Sequence, residues 1–382
     1  LLPELAANNG LAMSQMGIIF PAIFAGTVPA SLLVGFILDR IGANRIILIS
    51  IPLLAGSAIG ITLSHSVPLL VLFSFLLGAG GGAGVPTANT LIVKLFGRRS
   101  VAAVNLLNVF FAIGAIVGPA LVSLGLSLFQ TGTPVFWFAA LIAAACIPYF
   151  ARAAAGGPPV NFHHSAESAA PGVGAEGGGA RPRRLPHAKE LFRSPLLWLV
   201  GGVLFFDVGT EQTLGGWMAV YMKDSSGIAL ASAALVVSGF WVAFTAGRLA
   251  GAGIGTRLKA RSVLLGSFVT AIFGVIIVNV AADRVGASIV GFLLTGLGLG
   301  PVYPTTMALI GTLFESRAGT AIGATAALGT IGGMAIPLAE GMMFDLFGPP
   351  GAARLILVGV VAIALLSLLL LLSMARRPAH EA

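Results

Sequence analysis

Charge is what this chain has least of. Asp, Glu, Lys and Arg make up 9% of its 382 residues, against 57% hydrophobic residues. A soluble domain carries about a quarter charged residues, and a surface this poor in charge does not stay dissolved in water. Cysteine is almost as scarce. The single one, Cys146, lies in an apolar run. That excludes a disulfide framework, a thiolate metal site and a redox pair, and leaves Cys146 as a small packing residue. No nucleophile–base constellation, metal cluster or cofactor motif is visible, so the expectation is a non-enzyme with no cofactor and no metal. The net charge of +8 suggests nucleic acid only until the basic residues are located. They fall in short stretches between apolar runs, which marks topology rather than a nucleic-acid surface.

What the chain does have is apolar length. A spanning helix needs about 20 mostly apolar residues, and such runs lie near 13–37, 45–64, 67–93, 100–126, 132–151, 195–222, 228–254, 262–281, 285–312, 318–344 and 352–374. In lipid every backbone polar group needs an internal partner, which leaves helices or closed barrels. Barrels show short alternating segments; these runs are long and unbroken. The reading is an all-α membrane protein with eleven spans, solvated by a lipid bilayer. One connection is long. Residues 152–194 contain GGPP, GVGAEGGGA and RPRRLP, a composition that buries too little to fold. It reads as a flexible linker between helical regions 1–151 and 195–382, with His163 and His164 as solvated residues. Of the 21 Lys and Arg, only Lys223, Arg284 and Arg354 fall on one side of the alternating loops. The other eighteen, among them those of the linker and Arg376 and Arg377, mark the opposite side as cytoplasmic.

The chain repeats itself. At an offset of 218 residues, 78–119 lies over 296–337 without gaps. Gly78, Gly80 and Gly82 meet Gly296, Gly298 and Gly300; Pro86-Thr87 meets Pro304-Thr305; Arg99 meets Arg317 and Pro119 meets Pro337. At an offset of 217, Arg40 meets Arg257. The first half then has five spans and the second six. The unmatched run 195–222 would have its partner ending near Leu5, so LLPEL reads as the tail of a first helix absent here. The expected parent has twelve spans in two six-helix halves.

The hairpin GFILDRIGANR, from Gly35 to Arg45, resembles the signature of the major facilitator superfamily, whose twelve helices form two parallel-repeated halves. Its physics is readable. Gly35 permits close helix approach. Asp39 at the membrane boundary can accept charge-assisted bonds from Arg45 or from a helix N-terminus, in one conformation and not in another. Asp39, Arg40 and Arg45 are therefore gating candidates. Within the superfamily, FWVAFTAGRLAG (Phe240 to Gly251) and VGTEQTLGGW (Val208 to Trp217) resemble segments of the fucose–galactose–glucose:proton symporters. So do Asn105, Asn108, Phe110, Gly114 and Pro119, YPT at 303–305 and GGMAIPLAEGMMFD at 332–345. That resemblance implies sugar uptake with proton symport by a monomer in the cytoplasmic membrane. Departures exist: Val85 stands where the sugar permease carries an acid, Asn108 where it has Gln, and Phe111 where it has Asn.

The run 195–222 carries Asp207 and Glu211, four apart and so on one face. At about 1.5 Å per residue they lie roughly 18 and 24 Å along the helix. An ionised acid at mid-membrane costs on the order of 2.5–3.5 kcal/mol on the gentlest scale, so two acids there are candidates for proton coupling; a hydrogen-bonded structural role is the alternative. Asn89, Asn105, Asn108 and Gln212 suit a neutral hydroxylated ligand. Trp241 and Tyr303 suit stacking on a ring; Trp217 does too, or else belongs to an interfacial aromatic belt. Arg248 either snorkels to the cytoplasm or closes a gate by a salt bridge. Glu340 reads as interfacial. The glycine run at 78–84 lacks a preceding strand and a Lys-Ser/Thr ending, so it is a helix-packing surface rather than a phosphate loop. The leading expectation is a carrier rocking one half against the other around a mid-membrane site for a sugar or polyol. A proton-coupled drug or metabolite exporter and a non-transporting solute receptor with a carrier fold are the alternatives.

Overall fold

The computed structural model describes residues 2–96, 100–156, 188–255, 257–281, 284–314 and 318–375. Its helices are α1 (Leu2–Asn9), α2 (Met13–Met16), α3 (Ile19–Ile41), α4 (Ala43–Thr62), α5 (Val67–Phe96), α6 (Ser100–Phe129), α7 (Pro134–Gly156), α8 (Ala188–Arg193), α9 (Pro195–Ser226), α10 (Leu230–Gly255), α11 (Ala260–Val280), α12 (Val285–Leu299), α13 (Val302–Leu313) and α14 (Ala318–Ala375). Strands are absent among the described residues.

By length and composition, eight apolar helical stretches are able to cross a membrane; one runs through α12 and α13, and the last is 55 residues long. That last stretch is two limbs. Gly348 has φ 62° and ψ −163°, outside the helical region, and Pro349 and Pro350 follow it. Only glycine takes this backbone geometry without strain, so GPP separates the expected spans 318–344 and 352–374. The other expected spans are α3, which starts after a turn at Gly17-Ile18, and α9, whose two acids dilute its apolar run. The run 285–312 is divided only in its hydrogen bonding: α12 stops at Leu299 and α13 starts at Val302, while Gly300 and Pro301 keep helical φ/ψ. Pro301 has no amide hydrogen to continue the helix. Most of the expected linker lies outside the described residues, although α7 continues to Gly156 and α8 begins at Ala188.

The glycine repeat is a repeat of contacts. A Cβ on Gly78 would strike the Ile23 carbonyl of α3, and one on Gly82 the Thr27 carbonyl; Gly80 faces Leu54 of α4. In the second half a Cβ on Gly296 would meet Phe240 of α10, one on Gly300 the Phe244 carbonyl, and one on Gly298 Ala271 of α11. Ile23, Thr27 and Leu54 are 217 residues before Phe240, Phe244 and Ala271. The same three close approaches build both halves, through small residues that let helix backbones touch. In the first half, Thr27 Oγ1 also donates to the Gly78 carbonyl at 3.1 Å and Ser31 Oγ to the Gly82 carbonyl at 2.9 Å.

The halves meet through α3 on α14 and α6 on α10. We call the end carrying the α7 terminus and the α8 start the near end, and the opposite end the far end. The large core runs through the second half and takes in Leu5, Ala6, Met16, Ile19, Ile61 and Leu70 of the first. All six lie at the far end. At the near end each half keeps its own cluster: Val34, Leu38, Ala43 and Ile46 in the first, and Leu191, Leu196, Leu197, Val200, Ile310, Ala321 and Leu370, with Leu204, in the second. Apolar packing thus seals the far end across the halves and leaves the near ends separate among the described residues.

Candidate functional site

The site grows from one face of α9. Asp207 is 2% exposed and its Oδ2 has no hydrogen-bond partner. Glu211, one turn on, is half-buried and faces Arg248 of α10, with Nη2 to Oε2 at 3.8 Å. That separation is a Coulombic contact and too long for a hydrogen bond, so the pair is loosely closed. Arg248 retains 40% of its side-chain exposure, which leaves it open to a third partner.

Arg248 does not snorkel to the near end. Helical Cα–Cβ bonds tilt toward the helix N-terminus, and α10 starts at the far end. Its guanidinium therefore reaches back toward the middle of the bundle and lies 4.5 Å from the Phe244 ring centroid. This cation–π contact is worth about 0.5–1 kcal/mol at a partly exposed position. Trp241, Phe244 and Arg248 follow i, i+3, i+7 spacing and form one face; Trp241 meets Phe244 edge-on at 5.4 Å. A methyl on Gly215 would stand 3.1 Å from Trp241 Cζ2, so Trp241 packs against α9. The junction between α12 and α13 completes the group. Gly300 fits beneath Phe244 and the Arg248 backbone, and Tyr303 is half-buried just beyond, within electrostatic reach of Asp207, Glu211 and Arg248. The arrangement offers one cation with an unfilled donor (Arg248 Nε is buried without an acceptor), two acids and an aromatic wall. It sits beside Pro301, whose missing amide hydrogen leaves a gap in the hydrogen-bond ladder of an otherwise helical path.

Both halves match one family description: residues 1–210 and 201–382 fit the Major Facilitator Superfamily. The chain belongs to the Major Facilitator Superfamily. It is a multi-pass membrane transporter. The chain is 26% identical to the 3-(3-hydroxy-phenyl)propionate transporter of Escherichia coli K12, covering 90% of this chain and 81% of that one. In structure it resembles a bacterial homolog of the human lysosomal transporter Spinster in its inward-facing, occupied conformation, with TM-score 0.71, 15% identity, and coverage of 98% of this chain and 93% of that chain. It also resembles the nucleoside transporter NupG, with TM-score 0.74, 13% identity, and coverage of 96% and 92%. At these identities the two structures speak for the fold alone.

Of the sequence candidates in this facilitator, Asp207, Glu211, Arg248, Trp241 and Tyr303 come together. Gln212 is half-buried beside Glu211, about 100° round the helix from it. Asn89, on α5 of the other half, is half-buried with a partnerless Oδ1. Asn108 is exposed on α6. The Asn105 and Asp39 side chains lie outside the described residues. Arg40 and Arg45 are exposed on either side of Gly42, whose φ of 87° lets α3 turn into α4. Trp217 is neither in an interfacial belt nor free to stack on a ligand: it is wholly buried and stacked on Phe344 at 5.5 Å. Sequence reading missed Phe244. Its spacing from Trp241 and Arg248 was the available signal.

Proposed function

We propose that this facilitator is a proton-coupled symporter of small organic acids, working by alternating access around the Glu211–Arg248 pair. The loose 3.8 Å contact between those side chains carries the reading. A solute carboxylate can form the two-pronged bonds that Arg favours, and ionised Glu211 competes for the same guanidinium. A proton on Glu211 removes the competitor. Proton and anion then bind together, which is the logic of symport. Asp207, buried one turn away without a partner for Oδ2, gives the proton a second resting place. Trp241, half-buried and braced edge-on by the buried Phe244, supplies an aromatic surface, which fits the ring of a hydroxyphenyl acid such as the Escherichia coli relative's named solute.

A sugar is the second reading. Asn89, Asn105, Asn108 and Gln212 as amides, with Trp241 and Tyr303 as ring platforms, favour it, as does the resemblance to the fucose permease family. Arg248 favours the acid, because a neutral sugar leaves its charge matched only by a distant carboxylate. Lys and Arg placement puts the near end in the cytoplasm. The described state is then closed outside and open inside, with Asp39, Arg40 and Arg45 as its gating residues at the inner end, and the carrier acts as a monomer in the cytoplasmic membrane.

Proteoliposomes holding the chain and a pH-sensitive dye test this. An inward acid gradient should drive accumulation of hydroxylated aromatic acids, with internal acidification on solute addition. Glu211→Gln should keep solute exchange and lose the gradient-driven accumulation. Proton entry with monosaccharides alone would move the assignment to the sugar reading, and solute movement with no proton movement would sink the coupling.

A further inference from the structure

Glu340 lies in the first limb of α14, 0% exposed, and neither carboxylate oxygen has a hydrogen-bond partner. It is not the interfacial residue that its place in the sequence suggests. One turn on, Phe344 stacks against Trp217 of α9, whose indole Nε1 is also buried without a partner. The core around these rings contains Met16 and Ile19 of the first half together with Trp217 and Phe344 of the second. Phe20 also crosses the seal and rests against Gly216. Glu340 is therefore enclosed by the packing that closes the far end.

The ionisable groups around it supply no compensating cation among the described residues. Tyr221 of α9 is within electrostatic reach and donates to the Val278 carbonyl at 3.2 Å. The other ionisable groups of α9 are Asp207 and Glu211, deeper in the bundle, and Lys223 and Asp224, exposed at the rim. α2 has none; α3 has Asp39 and Arg40, and α11 has Arg261, all at the near end; α13 has Tyr303 at the mid-bundle site. Glu4 of α1 is bonded to Thr131 and to the Gly132 amide. On α14 itself Asp345 and Arg354 are exposed.

We propose that Glu340 is a proton-binding site of the far gate. A carboxylate enclosed without a cation bears the full desolvation penalty, so closure proceeds around the neutral acid. The Glu340 carboxylate takes one proton from far-side water as the gate closes and returns it to the same water as the gate opens. This proton does not cross the membrane. It sets how far-side pH divides the carrier between open and closed, and it stands independently of coupling at Glu211.

The test reads gate position without solute. Spin labels go on His65→Cys and Asp224→Cys, both exposed at the far end and on different halves, with Cys146→Ala, in the reconstituted full chain. The population with a long inter-label distance should rise from acid to alkaline pH. Glu340→Gln should hold the short distance at every pH. Glu340→Leu should do the same, and it replaces an unpaired buried acid with an apolar side chain if Glu340→Gln assembles poorly. Glu211→Gln should keep the pH response, which separates this gate from symport. A pH response unchanged in both Glu340 variants, or absent in the parent, overturns the proposal.

Discussion

Arg248→Gln is expected to reduce affinity for a carboxylate solute by roughly a hundredfold while leaving the fold in place. A hydrogen bond to a charged group is worth about 1.5–3 kcal/mol, and each 1.4 kcal/mol or so is a tenfold change in affinity. Losing a two-pronged contact to the guanidinium sits at the upper end of that range. The fold should survive because the native pair is loose: at 3.8 Å, with Arg248 40% and Glu211 13% exposed, the two side chains share no hydrogen bond whose loss would be felt. Arg248→Lys should fall between, since it keeps the charge and loses the planar fork. Thermal shift of the purified protein, with and without solute, separates the two effects. An Arg248→Gln protein that binds the acid as well as the parent would exclude the guanidinium as its receptor. A protein that melts far below the parent would instead make Arg248 structural.

Gly82→Val and Gly300→Val should each destabilise the protein strongly, and to a similar degree. The obstacle at both positions is a backbone carbonyl, that of Thr27 in one case and of Phe244 in the other. A side-chain neighbour can rotate away; a carbonyl in a helix cannot, so the helices must separate. Overpacking of this kind costs about 1–3 kcal/mol and sometimes more. Gly300→Val should also abolish transport, because Gly300 seats the α12–α13 junction against the backbone of α10 at Phe244 and Arg248. Gly81→Ala is the control. A Cβ there meets nothing within 4 Å, so the change should stay within about 0.5 kcal/mol. Thermal unfolding in detergent gives the comparison. If Gly81→Ala cost as much as Gly82→Val, the close approaches would not be what holds the helices of each half together.

These glycines show how much was readable beforehand. Their register at an offset of 218 is visible in the sequence because backbone contact admits one residue type only. Which carbonyl each glycine meets is not visible, since that depends on helices distant in sequence. Glu211 and Asp207 share a face by helix geometry alone. The partner of Glu211 was not visible: the direction of α10 follows from the alternating loops, but that the Arg248 side chain turns onto α9 and Phe244 instead of the near surface depends on how the helices pack. The interruption at Gly300-Pro301 was signalled by the dipeptide, yet the apolar run hid it, because hydropathy does not register a missing amide hydrogen.

Composition and periodicity by themselves determined that the chain lives in lipid, that it is helical, that it is built from two related halves, and that Asp207 and Glu211 share one face of one helix. Each follows from a local rule: solvation of the backbone, apolar length, or the spacing of side chains along a helix. Tertiary structure alone decided that the far ends of the halves share a core while the near ends do not, that Trp217 and Glu340 are sealed inside, and that Arg248 meets Glu211. Those outcomes depend on which helices pack together and at which end, and packing between distant segments is set by the shape of whole surfaces rather than by neighbours along the chain.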